Sequence, residues 1–210
     1  MPVAGTRVGV LLAGCGTHDG TEIGEALLTL LELERRGAHP IPLAPPGNQM
    51  HVVDHATGDE RAGSSRSMAA EAARITRGKV EILGTISTDP FHALIIPGGS
   101  GVIKNLMTGT LDPGSRRELL PVVRDLLVHF LQAGKPIGIM SVANFLLPGL
   151  VDSPILPERA GTPGEPLLVD PDHRLVYAPA FLTARSLAEV AEGVRALVEM
   201  VLHYADETRT

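Results

Sequence analysis

Apolar residues recur along the chain in two different patterns, and their alternation predicts strands separated by helices. Short apolar runs, typical of buried strands, lie at Arg7 to Leu12, His39 to Ala44, Phe91 to Pro97 and Pro136 to Met140. Apolar positions three or four residues apart, typical of amphipathic helices, lie at Thr21 to Arg36, Arg66 to Arg77, Ser115 to Ala133 and Ser186 to Tyr204. Two further short runs, Leu167 to Val169 and Arg174 to Tyr177, predict a hairpin.

Strands that alternate with helices of this length predict a mostly parallel sheet covered by helices on both faces. This is a three-layer α/β sandwich of the flavodoxin-like type. The sequence contains no internal repeat and no linker, so we expect one domain over residues 1–210. Two polar or Pro/Gly-rich stretches, Asn48 to Ser65 and Val151 to Pro166, are predicted to be loops.

Composition excludes several classes of partner. A net charge of -6 without any basic run argues against binding to nucleic acid or to an anionic membrane surface. The apolar stretches are too short to span a bilayer, and the N-terminal sequence lacks the pattern of a cleavable signal. Cys15 is the single cysteine, which excludes an intramolecular disulfide. A reducing compartment follows, and we expect the cytoplasm.

The ends of three predicted strands carry sequence suited to a binding site. Gly14-Cys15-Gly16 follows the first strand, Pro97-Gly98-Gly99 follows the third, and Met140-Ser141-Val142 follows the fourth. In an open parallel sheet, ligands bind outside the carboxyl ends of the strands. We therefore expect these three turns to meet at one edge of the sheet.

Ser141 is placed at a strand-to-helix turn, and two interpretations of it stay open. Such a turn presents a side chain on a tight backbone, beside a helix N-terminus that favours negative charge. Alternatively, Ser141 merely caps the following helix, because serine is a favoured N-cap residue. The second glycine of the Gly-x-Ser-x-Gly signature is absent, so the sequence does not predict an α/β-hydrolase.

Four stretches, in their order and spacing, resemble the ElbB-like branch of the ThiJ/PfpI, class I glutamine amidotransferase-like superfamily. They are Gly14 to Ala26, Glu71 to Gly78, Ala93 to Leu106 and Gly134 to Met140, followed by a similar tail at Val176 to Phe181. The resemblance implies a flavodoxin-like fold and a glyoxalase-type pocket for a small carbonyl compound. It also implies a homodimer that needs no external cofactor. The stretch from Val151 to Pro166 departs from the branch, because it is shorter here.

Site residues follow from the resemblance position by position. The nucleophile position falls on Ser141, where ElbB-like proteins have cysteine. The acid that contacts the nucleophile falls on Glu25, twelve residues before Gly37, with Glu22 as a neighbouring alternative. The backbone N–H groups of Gly99 and Val142 are the implied oxyanion donors.

Other residues are assigned to the pocket with an alternative beside each. Cys15 could supply a displaced thiol or could be a small buried residue, as free cysteines usually are. His18 could approach the same edge or could be an exposed loop histidine. Asn105 matches the family motif together with Lys104, without an assigned role. No metal is predicted, because the histidines lack ligand spacing in a helix.

Whether the chain is an enzyme depends on Ser141, since a hydroxyl needs a positioned base to become nucleophilic whereas a thiolate is readily accessible. The first hypothesis is a glyoxalase-type enzyme acting on a small carbonyl compound, with activity weakened or changed by Ser141. The second is a serine-dependent amide or ester hydrolase, and the third is a non-catalytic relative that binds a metabolite or a partner. Use of glutamine is not implied, because the Cys-His-Glu triad is absent.

Overall fold

Within residues 5–112, 115, 117–157, 159 and 167–208, which the computed structural model describes, all strands belong to one sheet. The strands are β1 (Arg7–Leu11), β2 (His39–Ala44), β3 (Glu81–Ile82), β4 (Ala93–Ile96), β5 (Ile137–Met140), β6 (Leu168–Asp170) and β7 (Leu175–Ala178). Their order is β3-β2-β1-β4-β5-β7-β6, and every neighbouring pair is parallel except β6–β7, the predicted hairpin.

Helices cover both faces of this sheet. They are α1 (Ile23–Arg35), α2 (Met68–Ile75), α3 (Ser100–Asn105), α4 (Pro121–Gln132) and α5 (Leu187–Glu207), with short 3₁₀ helices at Ser141–Leu146 and Ala180–Leu182. One apolar core packs α1, α2 and α5 on one face, where Leu33 and Leu197 are buried. A second core packs α3 and α4 on the other face, around Phe130. The three-layer flavodoxin-like fold is therefore confirmed.

The helices begin and end where their local chemistry requires. The side chains of Ser67 and Ser186 accept hydrogen bonds from N–H groups in the first turns of α2 and α5, which have no partner inside the helix. Helix α1 ends before Gly37, whose φ of 73° is readily adopted by glycine.

The predicted start of the third long helix at Ser115 is wrong, because this helix, α4, begins at Pro121. Proline is favoured at the first position of a helix, and it disfavours helical backbone in the residue before it. Leu120 accordingly has extended dihedrals, with φ −53° and ψ 138°. Both β3 and α3 escaped prediction, because two and six residues are too short to establish a period.

The backbone of β2 has prolines at the positions that face away from β1. The N–H of His39 donates to Thr6 O in front of β1, whereas the carbonyl of Ala44 faces β3 and accepts from Leu83 N. Even-numbered residues of β2 thus face the outer side, where Pro40 and Pro42 have no N–H to offer.

The predicted loops lie mainly between these elements. The 48–65 stretch is irregular, as expected, apart from isolated bridges such as Val53 with Glu60. Within 151–166, residues 158 and 160–166 fall outside the described part, while Ile155 and Leu156 lie buried in the second core. Among the described helices, none is both long and apolar enough to cross a membrane.

Candidate functional site

Ser141 occupies a strained turn at the carboxyl end of β5. Its φ is 51°, in the left-handed region that non-glycine residues rarely adopt. Met140 is the N-cap of the following 3₁₀ helix, so Ser141 is the first residue inside that helix. The alternative that Ser141 caps the helix is therefore wrong, and the strained backbone needs another explanation.

Ser141 and Glu25 both lie against Gly98. A Cβ atom added to Gly98 would lie 2.5 Å from Cβ of Ser141, 3.0 Å from its Oγ and 2.9 Å from Oε2 of Glu25. The serine hydroxyl and the carboxylate thus flank one glycine, which is the residue that leaves room for both. Among the described residues, no direct hydrogen bond joins the two side chains; Oε2 of Glu25 instead accepts from the N–H of Gly98 at 2.6 Å.

The carboxyl group of Glu25 is adapted to exchange a proton near neutral pH. Glu25 is fully buried in the first turn of α1. Its pKa is raised to about 7, chiefly by burial and in smaller part by the nearby charge of Glu22. The N–H groups of Gly98 and Phe181, the latter at 3.5 Å from Oε1, act in the opposite direction because they favour the carboxylate.

Glu22 serves the helix rather than the hydroxyl. It is the N-cap of α1, and its Oε2 accepts from the N–H of Glu25 at 2.6 Å. Its own N–H donates to the carbonyl of Gly98 at 2.9 Å. Gly98 is therefore held on its N–H by Glu25 and on its carbonyl by Glu22.

The two amides assigned as oxyanion donors lie at the starts of two short helices. Gly99 is the N-cap of α3, with a φ of 99° that suits glycine. A Cβ atom there would lie 2.4 Å from the backbone N of Glu22, so the turn packs tightly on the start of α1. Val142 is in the first turn of the 3₁₀ helix, where N–H groups lack a partner inside the helix.

Cys15 and His18 follow β1, as expected. The groups found near them are Glu71 for Cys15 and His55 for His18. Cys15 is half-buried, and burial raises the pKa of its thiol, with a further increase from the charge of Glu71 on α2. His18 is exposed, and its ring lies 5.0 Å from that of His55. These contacts agree with the two simpler interpretations, a small packed cysteine and a loop histidine.

Asn105 and Lys104 bind the same loop after β1. The Asn105 side chain donates to the carbonyls of Ala13 and Asp19, at 2.7 and 2.8 Å. Lys104 donates to the carbonyl of His18 at 2.7 Å. Asn105 thus contributes to the site through the backbone of this loop.

Three groups next to Glu25 were not among the predicted site residues. Gly98 and Phe181 donate N–H groups to its carboxylate, and burial together with the charge of Glu25 raises the pKa of the Tyr177 hydroxyl. Gly98 belongs to the same Pro97-Gly98-Gly99 turn as the predicted oxyanion donor Gly99. Phe181 depends on Ala180, whose φ of 48° has no signature in the sequence.

A groove of about 740 Å³ lies away from this site. It runs along the amino ends of β1 and β2, and its polar walls include Arg7, His39 and Lys79. Ser141 and Glu25 lie at the carboxyl ends of the strands instead. The groove therefore contains none of the site residues.

Comparison with curated proteins found full-length relatives, while no family model matches the sequence. The human protein named glutamine amidotransferase-like class 1 domain-containing protein 3, mitochondrial, is 36% identical over 96% of this chain and 84% of its own length. The rat ES1 protein homolog, mitochondrial, is 35% identical over 93% of this chain and 83% of its own.

Solved structures share the same architecture. An isoprenoid biosynthesis protein with an amidotransferase-like domain from Ehrlichia chaffeensis superposes with a TM-score of 0.84. It is 32% identical, and the match covers 94% of this chain and 99% of that one. A DJ-1 superfamily protein from Salmonella typhimurium, 21% identical with a TM-score of 0.55, covers 97% of this chain and 94% of its own, and shares the fold alone.

These relatives overturn the predicted cytoplasmic location. The curated relatives from human, rat and zebrafish are all named as mitochondrial proteins, which points to mitochondria instead. The prediction failed because it depended on a single cysteine, and a low cysteine count indicates a reducing environment without distinguishing one such compartment from another.

Proposed function

The chain belongs to the ThiJ/PfpI/DJ-1, class I glutamine amidotransferase-like superfamily, and on that premise we propose an ElbB-like, glyoxalase-type pocket for a small carbonyl compound at Ser141. One observation carries the proposal: a serine with φ of 51° lies against Gly98 together with a buried glutamate, whose pKa is raised to about 7 chiefly by burial. Strained backbone and a shifted pKa occur together at functional sites.

Each group has a role in the proposed chemistry. A carbonyl oxygen bound beside Ser141 would accept hydrogen bonds from the N–H groups of Gly99 and Val142, which stabilise negative charge as it develops. Glu25 is half-ionised near neutral pH, so it can accept a proton from one atom of the substrate and return it to another. Ser141 occupies the nucleophile position, where its hydroxyl is a far weaker nucleophile than a thiolate.

We expect low turnover of methylglyoxal by the natural protein and a marked gain in the Ser141→Cys variant. The introduced thiol should titrate below about 8.5, the ordinary value for cysteine. In the same variant, Glu25→Gln should reduce turnover by about 100-fold or more, the usual contribution of acid–base catalysis. Turnover is measured by loss of methylglyoxal, and the thiol by the pH dependence of iodoacetamide labelling.

Cys15→Ser is the matched control, because it removes the natural thiol that would otherwise contribute to labelling. The natural protein should be labelled by iodoacetamide at Cys15 at most. If the introduced thiol in Ser141→Cys has a pKa near the ordinary value of about 8.5 and the variant shows no turnover, the proposal is contradicted. A non-catalytic relative that binds a metabolite or a partner is then favoured.

A serine-dependent amide or ester hydrolase is the second candidate. The raised pKa of Glu25 favours it, because this carboxylate is a stronger base for a hydroxyl than an ordinary glutamate. Hydrolysis of small esters by the natural protein, abolished by Ser141→Ala, would establish this candidate. If the natural protein hydrolyses no small esters, a carbonyl pocket is the better description of the site.

The proposed macromolecular partner is a second copy of this chain. Three exposed apolar residues of α1, Ile23, Leu27 and Leu31, repeat at four-residue intervals. Phe181 and Leu187, also exposed, lie beside Gly24 of the same helix, since an added Cβ there would lie 3.3 and 3.5 Å from their side chains. This set of five residues, the α1 apolar surface, is matched with itself when two helices pack antiparallel about Leu27, as a two-fold interface requires.

A further inference from the structure

We infer that Asn105 and Lys104 are positioning residues, which hold the loop after β1 against α3 and so fix Glu25 beside Gly98. The inference rests on the proposed function of that site. It assigns a role to the Lys-Asn pair that the sequence pattern singled out without one. Among the described hydrogen bonds of Asn105 and Lys104, none is with Ser141. Both residues therefore act on the site through the loop.

Asn105 uses all of its hydrogen-bonding groups to join three segments of the chain. Its buried amide nitrogen donates to the carbonyl of Ala13 at the end of β1 and to the carbonyl of Asp19 in the loop. Its amide oxygen accepts from the N–H of Met50 at 2.8 Å, in the segment after β2. A buried side chain with every group satisfied fixes its partners in one arrangement.

Lys104 and the backbone of α3 complete the attachment. The ammonium group of Lys104 donates to the carbonyl of His18, one residue before Asp19. At the other end of α3, the N–H groups of Ser100 and Gly101 donate to the carbonyls of Thr17 and Gly20, at 2.8 and 2.9 Å. The loop is thus bound along the whole length of the short helix.

This attachment determines where Glu25 lies. The loop continues without a break into Glu22, whose N–H binds the carbonyl of Gly98, and Glu25 follows one turn later. Inside the loop, the N–H groups of Gly16 and Gly20 donate to the carbonyls of Thr21 and Gly16, at 2.9 and 2.7 Å. Donors on α3 hold further carbonyls of the loop, such as those of His18 and Asp19. An error of about 1 Å in such a support is enough to impair a site.

The test follows the ionisation of Glu25 by carbon-13 NMR of labelled glutamate carboxyls, with the signal assigned by its loss in Glu25→Gln. Asn105→Leu removes the donors at similar size and without adding charge. The midpoint of Glu25 should fall by about 1 pH unit or more, because water then reaches the carboxyl group. Lys104→Met should lower the midpoint by less, in the same direction.

Lys135→Met is the matched control, since Lys135, like Lys104, is a half-buried lysine that donates to a loop carbonyl, that of Asp89 at 2.8 Å, at the amino end of β5. It should leave the midpoint unchanged. Equal midpoints in the folded Asn105→Leu variant and the natural protein would overturn the inference; should Asn105→Leu fail to fold, equal midpoints in the two lysine variants would do so.

The proposed function is tested separately, by measuring methylglyoxal turnover in the Ser141→Cys variant. A shifted midpoint without any such turnover would retain the positioning role and reject the carbonyl chemistry. Turnover without any shift in the Glu25 midpoint would retain the carbonyl chemistry and reject the positioning role.

Discussion

At the scale of the residue, the burial of Glu25 couples proton binding to folding. The pKa of its carboxyl group is raised from 4.5 to about 7 in the folded protein, chiefly by burial. Between these pH values the folded chain holds a proton that the unfolded chain releases. The contribution of Glu25 to stability is therefore fully present below pH 4.5 and is lost as the pH rises through about 7.

Glu25→Gln should remove this dependence, because glutamine has similar size and no ionisable group. Above pH 7 the variant should be more stable than the natural protein by up to about 3 kcal/mol, which is the pKa shift of Glu25 converted to free energy. Urea unfolding at several pH values measures the difference. Glu34→Gln, at an exposed position of the same helix, should leave the pH dependence unchanged; stability curves that run parallel in all three proteins would contradict this account.

At the scale of the element, β5 and α5 depend on a glycine for their close packing. A Cβ atom on Gly138 would lie 2.7 Å from Leu197 and 2.8 Å from Val201, both fully buried on α5. Gly138→Ala should destabilise the protein by about 1–3 kcal/mol, the usual range for added groups in a filled core. Chemical denaturation gives the value.

Val201→Ala is the partner variant, because it removes the methyl groups that the new Cβ would meet. The double variant should be less destabilised than the sum of the single ones, since residues in contact are coupled. Additive effects would show that α5 moves away from β5 rather than meeting the added methyl group.

Periodicity predicted the long elements well and the short ones poorly. The bounds of β2 were predicted correctly, and α1 differs by one or two residues at each end. Helix α4 starts six residues later than predicted, because Pro121 outweighs the apolar stripe that continues before it. A two-residue strand such as β3 is determined by its neighbour β2, and no local pattern could reveal it.

The same limit applies to the candidate site. Ser141 and Glu25 were named because each lies in a recognisable motif, and the fold brings both against Gly98. Phe181 was missed because its N–H reaches Glu25 across 156 positions of sequence. Contacts of this kind depend on where the 3₁₀ helix at Ala180–Leu182 lies relative to α1, which strand and helix patterns do not specify.

At the scale of the whole molecule, the α1 apolar surface determines the expected oligomer. Leu27→Glu would place two carboxylates against each other at the centre of a two-fold contact. The dissociation constant of the dimer should rise by about 30-fold or more, as for a central residue of an interface. Analytical ultracentrifugation over a range of concentrations measures the change.

Leu111→Glu is the matched control, because Leu111 is 47% exposed, close to the 48% of Leu27, and lies outside this surface. It should leave the association unchanged. A natural protein that remains monomeric at high concentration would rule out the dimer, and equal effects of the two variants would move the contact elsewhere.

The two prolines on the outer side of β2 have a consequence for the crowded conditions under which chains fold. Strand β3 pairs with Leu43 and Ala44, so among the described residues no strand pairs with the first half of β2 on that side. An open border normally invites a strand from another molecule, and stacking of that kind seeds fibrils. Since Pro40 and Pro42 offer no hydrogen there, an incoming strand would find every second bond missing, and the border protects the chain from templated aggregation.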